Sequence, residues 1–497
     1  MAITGLSYIA GQWLGNQEGK TFQSFCPGTN EQLPTTFYDA TEAQLEQAAE
    51  AAQSAFKTYR KLSNQQRAEF LNTIAEEIMS LGDILIETTM QETNLPRQRL
   101  EGERMRTMTQ LRAFANALEQ DLAPLNLNYV DEADANRTPL PKPRTELNFL
   151  PVGVVAVFGA SNFPYAFSTI GGDTAAALAA GCPVIVKTHN AHPATSELMT
   201  QAMDSAIKKC GMPAGVFSML QAKAYSVSHQ LVAHPVVKAV GFTGSFNVAN
   251  ALIETINKRE EAIPFYGELG SVNPQVIFKE KAAQDGAALA QQLVASMLMG
   301  NGQFCTSPGV WFVPTGQAQF EQAAIEAVKG AGSDTLLTPG ILKSFISAIA
   351  GFEGNSDVTR LAKGQLDKPY HADAHLYACD VDTFLASEQL QEEVFGPCAL
   401  IVRYDNEQSL ARAVDALAGQ LTASVHGTEE ELAQNADLIS DLHYKVGRIA
   451  VGQMPTGVEV CASMNHGGPF PSSTDVRSTS VGLQAMTRFL RPLCIQS

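Results

Sequence analysis

Four short stretches carry residues whose types and spacing suit covalent chemistry. Cys305 stands in "NGQFCTSPG" (301–309), a turn-rich run just before the apolar "VWFVP". A thiol attacks as its thiolate, and loop amides or a helix N-terminus would lower its pKa. Gly302 would let backbone approach a substrate closely. Asn162 lies in "GASNFP" (159–164), directly after an apolar run, where its neutral amide can donate to a developing oxyanion. Glu268 in "YGELGSVNP" (266–274) sits at an apolar strand end near two glycines, a setting that raises a carboxyl pKa and suits a general base. Gly244 and Ser245 in "VGFTGSFNVA" (240–249) form a glycine turn opening a helix, whose amides can hold a pyrophosphate. That stretch is not G-x-G-x-x-G. Each residue also has a plain structural alternative: a small buried hydrophobe for the cysteine, a turn former for the asparagine, a lysine-paired loop residue for the glutamate.

The elements that must position these groups follow from periodicity. "VGVVAVF" (152–158), "PVIVK" (183–187), "GVFSML" (215–220) and "VVKAVGF" (236–242) read as buried strands. Helical segments are expected at 170–180, 194–210, 226–233 and 245–258. Strands alternating with helices imply a parallel sheet whose ligands bind beyond the strands' carboxyl ends. A second α/β segment has extended candidates "GVWFVP", "CALIVRYD", "TASVHG" and "GRIAVG". The first 120 residues read as mainly helical after a short extended start. Thr41 with Gln44 forms a capping box and Ser63 opens a further helix. Residues 121–147, polar and proline-broken, read as a linker or edge excursion.

Composition narrows the class. A chain of 497 residues divides into two or three domains. Its net charge of −17 argues against a nucleic-acid surface. No apolar run reaches the roughly 18 residues of a membrane span, and the N-terminus lacks a signal-peptide pattern. Eight scattered cysteines without a C-x-x-C pair fit reduced thiols in a cytoplasm. No metal is expected, because His189 and His192 run into Pro193 while His371 and His375 lack nearby ligands.

In order, "GASNFP", "FTGS", "GELGSVNP", "NGQFC" and "EEVFGP" (392–397) resemble the motifs of the aldehyde dehydrogenase superfamily over essentially the full chain. The resemblance implies an α/β fold with a Rossmann-type cofactor domain, an α/β catalytic domain and a strand extension used in oligomerisation. The cofactor domain is expected over 1–133 and 155–275, the catalytic domain over 276–470, and the extension over 134–154 and 478–497. It also implies roles: Cys305 forms a thiohemiacetal with the aldehyde, Asn162 and the Cys305 amide hold its oxyanion, and Glu268 activates the water that hydrolyses the thioester. Lys187 matches the residue contacting the adenosine ribose, Gly244 and Ser245 the pyrophosphate turn, and Glu393 and Phe395 the nicotinamide-ribose contacts. A homodimer or homotetramer is expected. A non-catalytic homologue keeping only the fold is a poorer match, since Cys305, Glu268 and Asn162 are all present.

Cofactor choice turns on Asn190. NAD-preferring relatives often carry a glutamate there, and a neutral side chain removes its repulsion of a 2′-phosphate. Use of both NADP and NAD is expected, leaning to NADP, with Lys223 a candidate phosphate contact. "GGDTAAALAAGCPVIVK" (171–187), "PTGVEVC" (455–461) and "HGGPFPSSTDVRSTSVG" (466–482) resemble, within the superfamily, the α-ketoglutarate semialdehyde (2,5-dioxovalerate) dehydrogenases. His466 falls where many relatives place an aromatic at the substrate mouth. Arg106, on the helix resembling the one that lines the aldehyde tunnel, is the candidate anchor for a substrate carboxylate, unless it pairs with Glu103. The neighbouring reading, an NADP-linked dehydrogenase of medium or long aliphatic aldehydes, needs a wholly apolar tunnel.

Overall fold

The computed structural model describes residues 2–15, 19–122 and 129–497. Residues 123–128, inside the proline-broken stretch expected as a linker, lie outside the described residues. Two seven-stranded sheets organise the chain. In the first, strands Phe265–Glu268, Val237–Thr243, Val154–Phe158, Val184–Lys187 and Phe217–Leu220 lie side by side in parallel. The hairpin Ser7–Ile9 and Gln12–Leu14 then completes the edge in antiparallel fashion. The extended start is therefore longer than expected: four strands, reaching Tyr38, precede the first helix.

Alternation along these strands sends side chains to opposite faces. Val155, Val157, Val184 and Val186 enter one core with the helices Asn64–Ser80, Gly82–Thr93 and Arg97–Glu119. Val154, Ala156, Phe158 and Ile185 enter another, on the opposite face. Both faces are covered, which is why the strands read as unbroken apolar runs. The capping box at Thr41–Gln44 forms as the sequence predicts, and Ser63, which opens its helix as expected, makes a second box with Gln66.

The second sheet runs Thr359–Lys363, His375–Asp380, Cys398–Tyr404, Val310–Pro314, Gln275–Ile277, Gln420–His426, Val446–Val451, parallel except at its first strand. A third, small sheet pairs Leu490–Gln496 with Thr145–Pro151, and the latter with Val130–Asp131. Val154, placed at the end of the expected extension, belongs to the first large sheet. Among the described residues no helix is long and apolar enough to cross a membrane.

Candidate active site

The site forms where the carboxyl edge of the first sheet meets loops that precede strands of the second. Glu268 ends its strand, with its neighbour Leu269 bonded through N–H to the Ser472 carbonyl at 2.9 Å. Asn162 follows the strand ending at Phe158. Its loop is pinned from two sides. Arg99 donates to the Asn162 carbonyl and lies over the rings of Phe163 and Phe304 at 5.0 and 4.7 Å. Buried His192 holds the Ala160 carbonyl at 3.0 Å. The Asn162 side chain donates to the Gln303 carbonyl at 2.9 Å, two residues before Cys305.

Cys305 reaches the same point from the second sheet, on the loop before Val310–Pro314. Gly300, Asn301 and Gly302 all take positive φ. A side chain on Gly302 would place its Cβ 2.1 Å from the Gly396 backbone. The glycine thus admits the "EEVFGP" backbone rather than a substrate, as the sequence alone had suggested. Asn273, fully buried at φ 46, donates to the Cys305 carbonyl at 2.9 Å and to the Ser307 carbonyl at 2.8 Å. The turn presenting the thiol is held by its backbone.

His466, expected at the substrate mouth, lies inside the cluster and is only 2% exposed. Its Nε2 is 2.8 Å from Glu268 Oε1 and 3.5 Å from Cys305 Sγ. The Ser480 hydroxyl donates to the other oxygen of Glu268. This arrangement corrects two expectations about acidity. Burial alone would raise the Glu268 carboxyl, but the imidazole beside it and the donated hydrogen bonds hold it below the ordinary carboxylate range. Burial and the Glu268 charge push the Cys305 thiol well above its usual value, against the weaker pull of Arg106. The resting thiol keeps its proton, with a single imidazole nitrogen facing both it and the carboxylate.

Arg106 does not pair with Glu103, whose Oε1 accepts from the amides of Tyr165 and Ala166. It donates through Nε and one Nη to the Val458 carbonyl at 3.3 and 3.2 Å. Its guanidinium stacks 5.1 Å from the Phe167 ring centroid, and Phe167 in turn packs 6.0 Å from His466. Nη1 makes no hydrogen bond among the described residues. Burial holds the guanidinium below its ordinary value, against the pull of Glu103 and, more weakly, of the nearby Glu268.

Farther along the carboxyl edge lie the groups suited to a dinucleotide. Ser245 precedes the helix Phe246–Ile256, whose N-terminus has no side-chain cap. The helix Pro193–Lys209 offers no such opening, because Glu92 takes the amides of Ala194 and Thr195. Gly244 donates to the Glu268 carbonyl at 3.1 Å, tying the turn to the cluster. Lys187 ends its strand, its ammonium pushed down to about 8 by burial against the pull of Asp39. Asp39 also accepts from the Lys223 amide, so both lysines border one acidic corner. Asn190 is half-buried nearby in sequence, and neither it nor Lys187 bonds to the Cys305 cluster among the described residues. Glu393 is pushed up to about 8 by burial, its charge opposed by Glu268, and Phe395 is half-buried in the same segment. An open helix N-terminus and a lysine on the carboxyl edge, with the Glu393 carboxyl beside Gly270 from the loop before Cys398–Tyr404, fit a dinucleotide.

Sequence reasoning did not single out Asn273, Ser480, Arg99 or Gln303. Asn273, Gln303 and Ser480 each lie inside a motif already quoted for its other residues, whereas Arg99 left no such signal.

The model of the aldehyde dehydrogenase family matches residues 13–490. The chain belongs to this family: it is an oxidoreductase acting on aldehydes with a nicotinamide cofactor. It is 42% identical to alpha-ketoglutaric semialdehyde dehydrogenase 2 of Azospirillum brasilense, over 100% of this chain and 95% of that one. It is 43% identical to the alpha-ketoglutaric semialdehyde dehydrogenase of Acinetobacter baylyi, over 93% and 88% respectively. Among solved structures, aldehyde dehydrogenase C of Pseudomonas syringae superposes with a TM-score of 0.84 at 19% identity, covering 99% of this chain and 96% of that one. That likeness shows the shared fold.

Proposed function

We propose that the enzyme oxidises 2,5-dioxovalerate to 2-oxoglutarate, with Cys305 as nucleophile, Asn162 and the Cys305 amide as oxyanion donors, and Glu268 as the base for deacylation. The observation that carries the substrate assignment is Arg106: a half-buried guanidinium stacked on Phe167, the ring that packs against His466, with one nitrogen uncommitted among the described residues. A remote carboxylate would satisfy it, whereas an aliphatic tail would leave it bare. The two relatives above 40% identity support the same substrate.

The resting thiol carries its proton, so attack on the aldehyde carbon releases that proton towards the His466–Glu268 pair. The oxyanion forms beside the Asn162 amide, which exchanges its bond to the Gln303 carbonyl for one to the substrate. A bound nicotinamide supplies acceptance of the hydride from the substrate carbon. Once the thiol's proton has passed on to solvent, Glu268, held ionised by His466, takes a proton from the water that attacks the thioester.

For the cofactor we read Lys187, Asn190, Gly244, Ser245, Glu393 and Phe395 as its contacts. The neutral Asn190 admits both NADP and NAD with a lean to NADP. The strands Thr145–Pro151 and Leu490–Gln496 leave Leu493 and Ile495 37% and 51% exposed, which supports an oligomerisation role in a homodimer or homotetramer. The domain limits expected from sequence go with these assignments once Val154 is moved to the first sheet and Gln275 to the second, and a cytoplasmic location accords with eight unpaired cysteines.

Reduced-cofactor absorbance, screened with semialdehydes and alkanals and with both cofactors, tests the reading. Preference for alkanals would overturn the substrate. With Glu268→Gln, a burst of reduced cofactor followed by a slow steady rate is expected; wild-type values for both would remove Glu268 as the deacylation base.

A further inference from the structure

We propose that Cys305, His466 and Glu268 also form a reversible binding site for a borderline-soft divalent cation, zinc above all, and that its occupancy blocks the thiol. The inhibitory part rests on the reading of Cys305 as nucleophile; the binding part stands on geometry. One ligand atom from each of the three residues lies within 4.8 Å of both others. A tetrahedral zinc with thiolate, imidazole and carboxylate ligands needs ligand–ligand separations of about 3.4–3.6 Å, given bond lengths near 2.3, 2.0 and 2.1 Å. The Sγ–Nε2 separation of 3.5 Å already meets this. The Nε2–Oε1 separation of 2.8 Å must open by about 0.6 Å, within reach of a side-chain adjustment.

The supporting contacts are already built. Ser480 holds one oxygen of Glu268 and leaves Oε1 turned to the imidazole. Thr479 accepts the His466 amide at 2.8 Å, and the Ser480 amide donates to the His466 carbonyl at 2.8 Å. Asn273 fixes the Cys305 carbonyl. Such outer contacts orient metal ligands. Charge also balances: binding exchanges the thiol proton for the cation, releasing that proton to solvent with no change of oxidation state. Thiolate, carboxylate and zinc then sum to zero, which a buried site tolerates. A sulfur–nitrogen set disfavours magnesium and calcium, which take oxygen ligands. Water fills the fourth position.

The test uses the whole enzyme, stripped of metal by a chelator that is then removed. Zinc should slow alkylation of Cys305 by iodoacetamide at least tenfold, followed by mass spectrometry of its peptide, while magnesium has no effect and chelator restores the rate. Cobalt should give a sulfur-to-metal charge-transfer band that Cys305→Ser removes. His466→Asn and Glu268→Gln should each weaken cobalt binding by about tenfold or more, the scale on which even outer contacts act. Unprotected Cys305, a band undiminished in Cys305→Ser, or full affinity in both His466→Asn and Glu268→Gln would overturn the proposal. These readouts need no aldehyde turnover, so they stand apart from any failure of the substrate assignment.

Discussion

The two large sheets have the same strand count and the same mostly parallel order, yet they turn opposite edges to the site. The first presents its carboxyl edge: Asn162, Lys187, Ser245 and Glu268 all end or follow its strands. The second presents its amino edge, since Cys305 precedes Val310–Pro314, Asn273 precedes Gln275–Ile277, and Gly396 precedes Cys398–Tyr404. The carboxyl edge has an open helix N-terminus and a lysine, the means of binding an anionic ligand. On the amino edge, buried side chains take up the backbone: Asn273 binds two carbonyls, and Gln420 accepts from the Val272 amide at 2.7 Å. One edge is built to receive, the other to hold a nucleophile still. Parallel topology makes both roles available from one architecture, depending on which end of the strands the loops occupy.

Substitutions on either edge should separate the two roles. The largest loss is expected at Cys305→Ala, which removes the covalent step and should lower kcat/KM by about three orders of magnitude or more while cofactor binding, measured by fluorescence titration, stays near wild type. A loss of about tenfold or less would mean that another group attacks.

Asn273→Ala tests whether the amino edge acts by rigidity. It frees the carbonyls of Cys305 and Ser307, and misplacement of the thiol by about 1 Å costs on the order of a hundredfold. That fall should appear in kcat and in the alkylation rate of Cys305, with a folded chain by circular dichroism. Wild-type values of both would show that the loop holds itself.

Arg106→Met should reduce kcat/KM for 2,5-dioxovalerate roughly ten- to hundredfold, the scale of a lost charged hydrogen bond, and spare an alkanal of similar length. Equal losses on both would reassign Arg106 to bracing the loop at Val458, its present partner.

The smallest change is expected on the receiving edge. Asn190→Glu sets a carboxylate against a 2′-phosphate, and two charges a few Å apart in a partly solvated groove interact by about 1–4 kcal/mol, so a shift of about tenfold towards NAD should follow. An unmoved ratio of catalytic efficiencies would place Asn190 away from the ribose.

Much of the first sheet was legible beforehand, because a strand buried on both faces must be apolar throughout and "VGVVAVF" or "PVIVK" has no other economical reading. The hairpin of residues 7–14 was not, since its place beside Phe217–Leu220 depends on a pairing about 200 residues distant. His375–Asp380 was passed over as well, and it becomes a strand only between two others.

For the site, local sequence determined the chemical types: a thiol in a glycine turn, an amide after a strand, a carboxylate at a strand end. Local motifs carry such information because the turn needs its glycines and the strand end its apolar approach. Tertiary structure alone decided their acidities. Glu268 and His466 are 198 positions apart in the chain, yet lie 2.8 Å apart in the fold. That contact reversed the expected direction for the carboxyl, while burial and the Glu268 charge raised the thiol. A pKa depends on burial and on the charge a few Å away, and neither is encoded in neighbours along the chain. The same reason hid the metal-ligand set, whose three members share no sequence spacing at all.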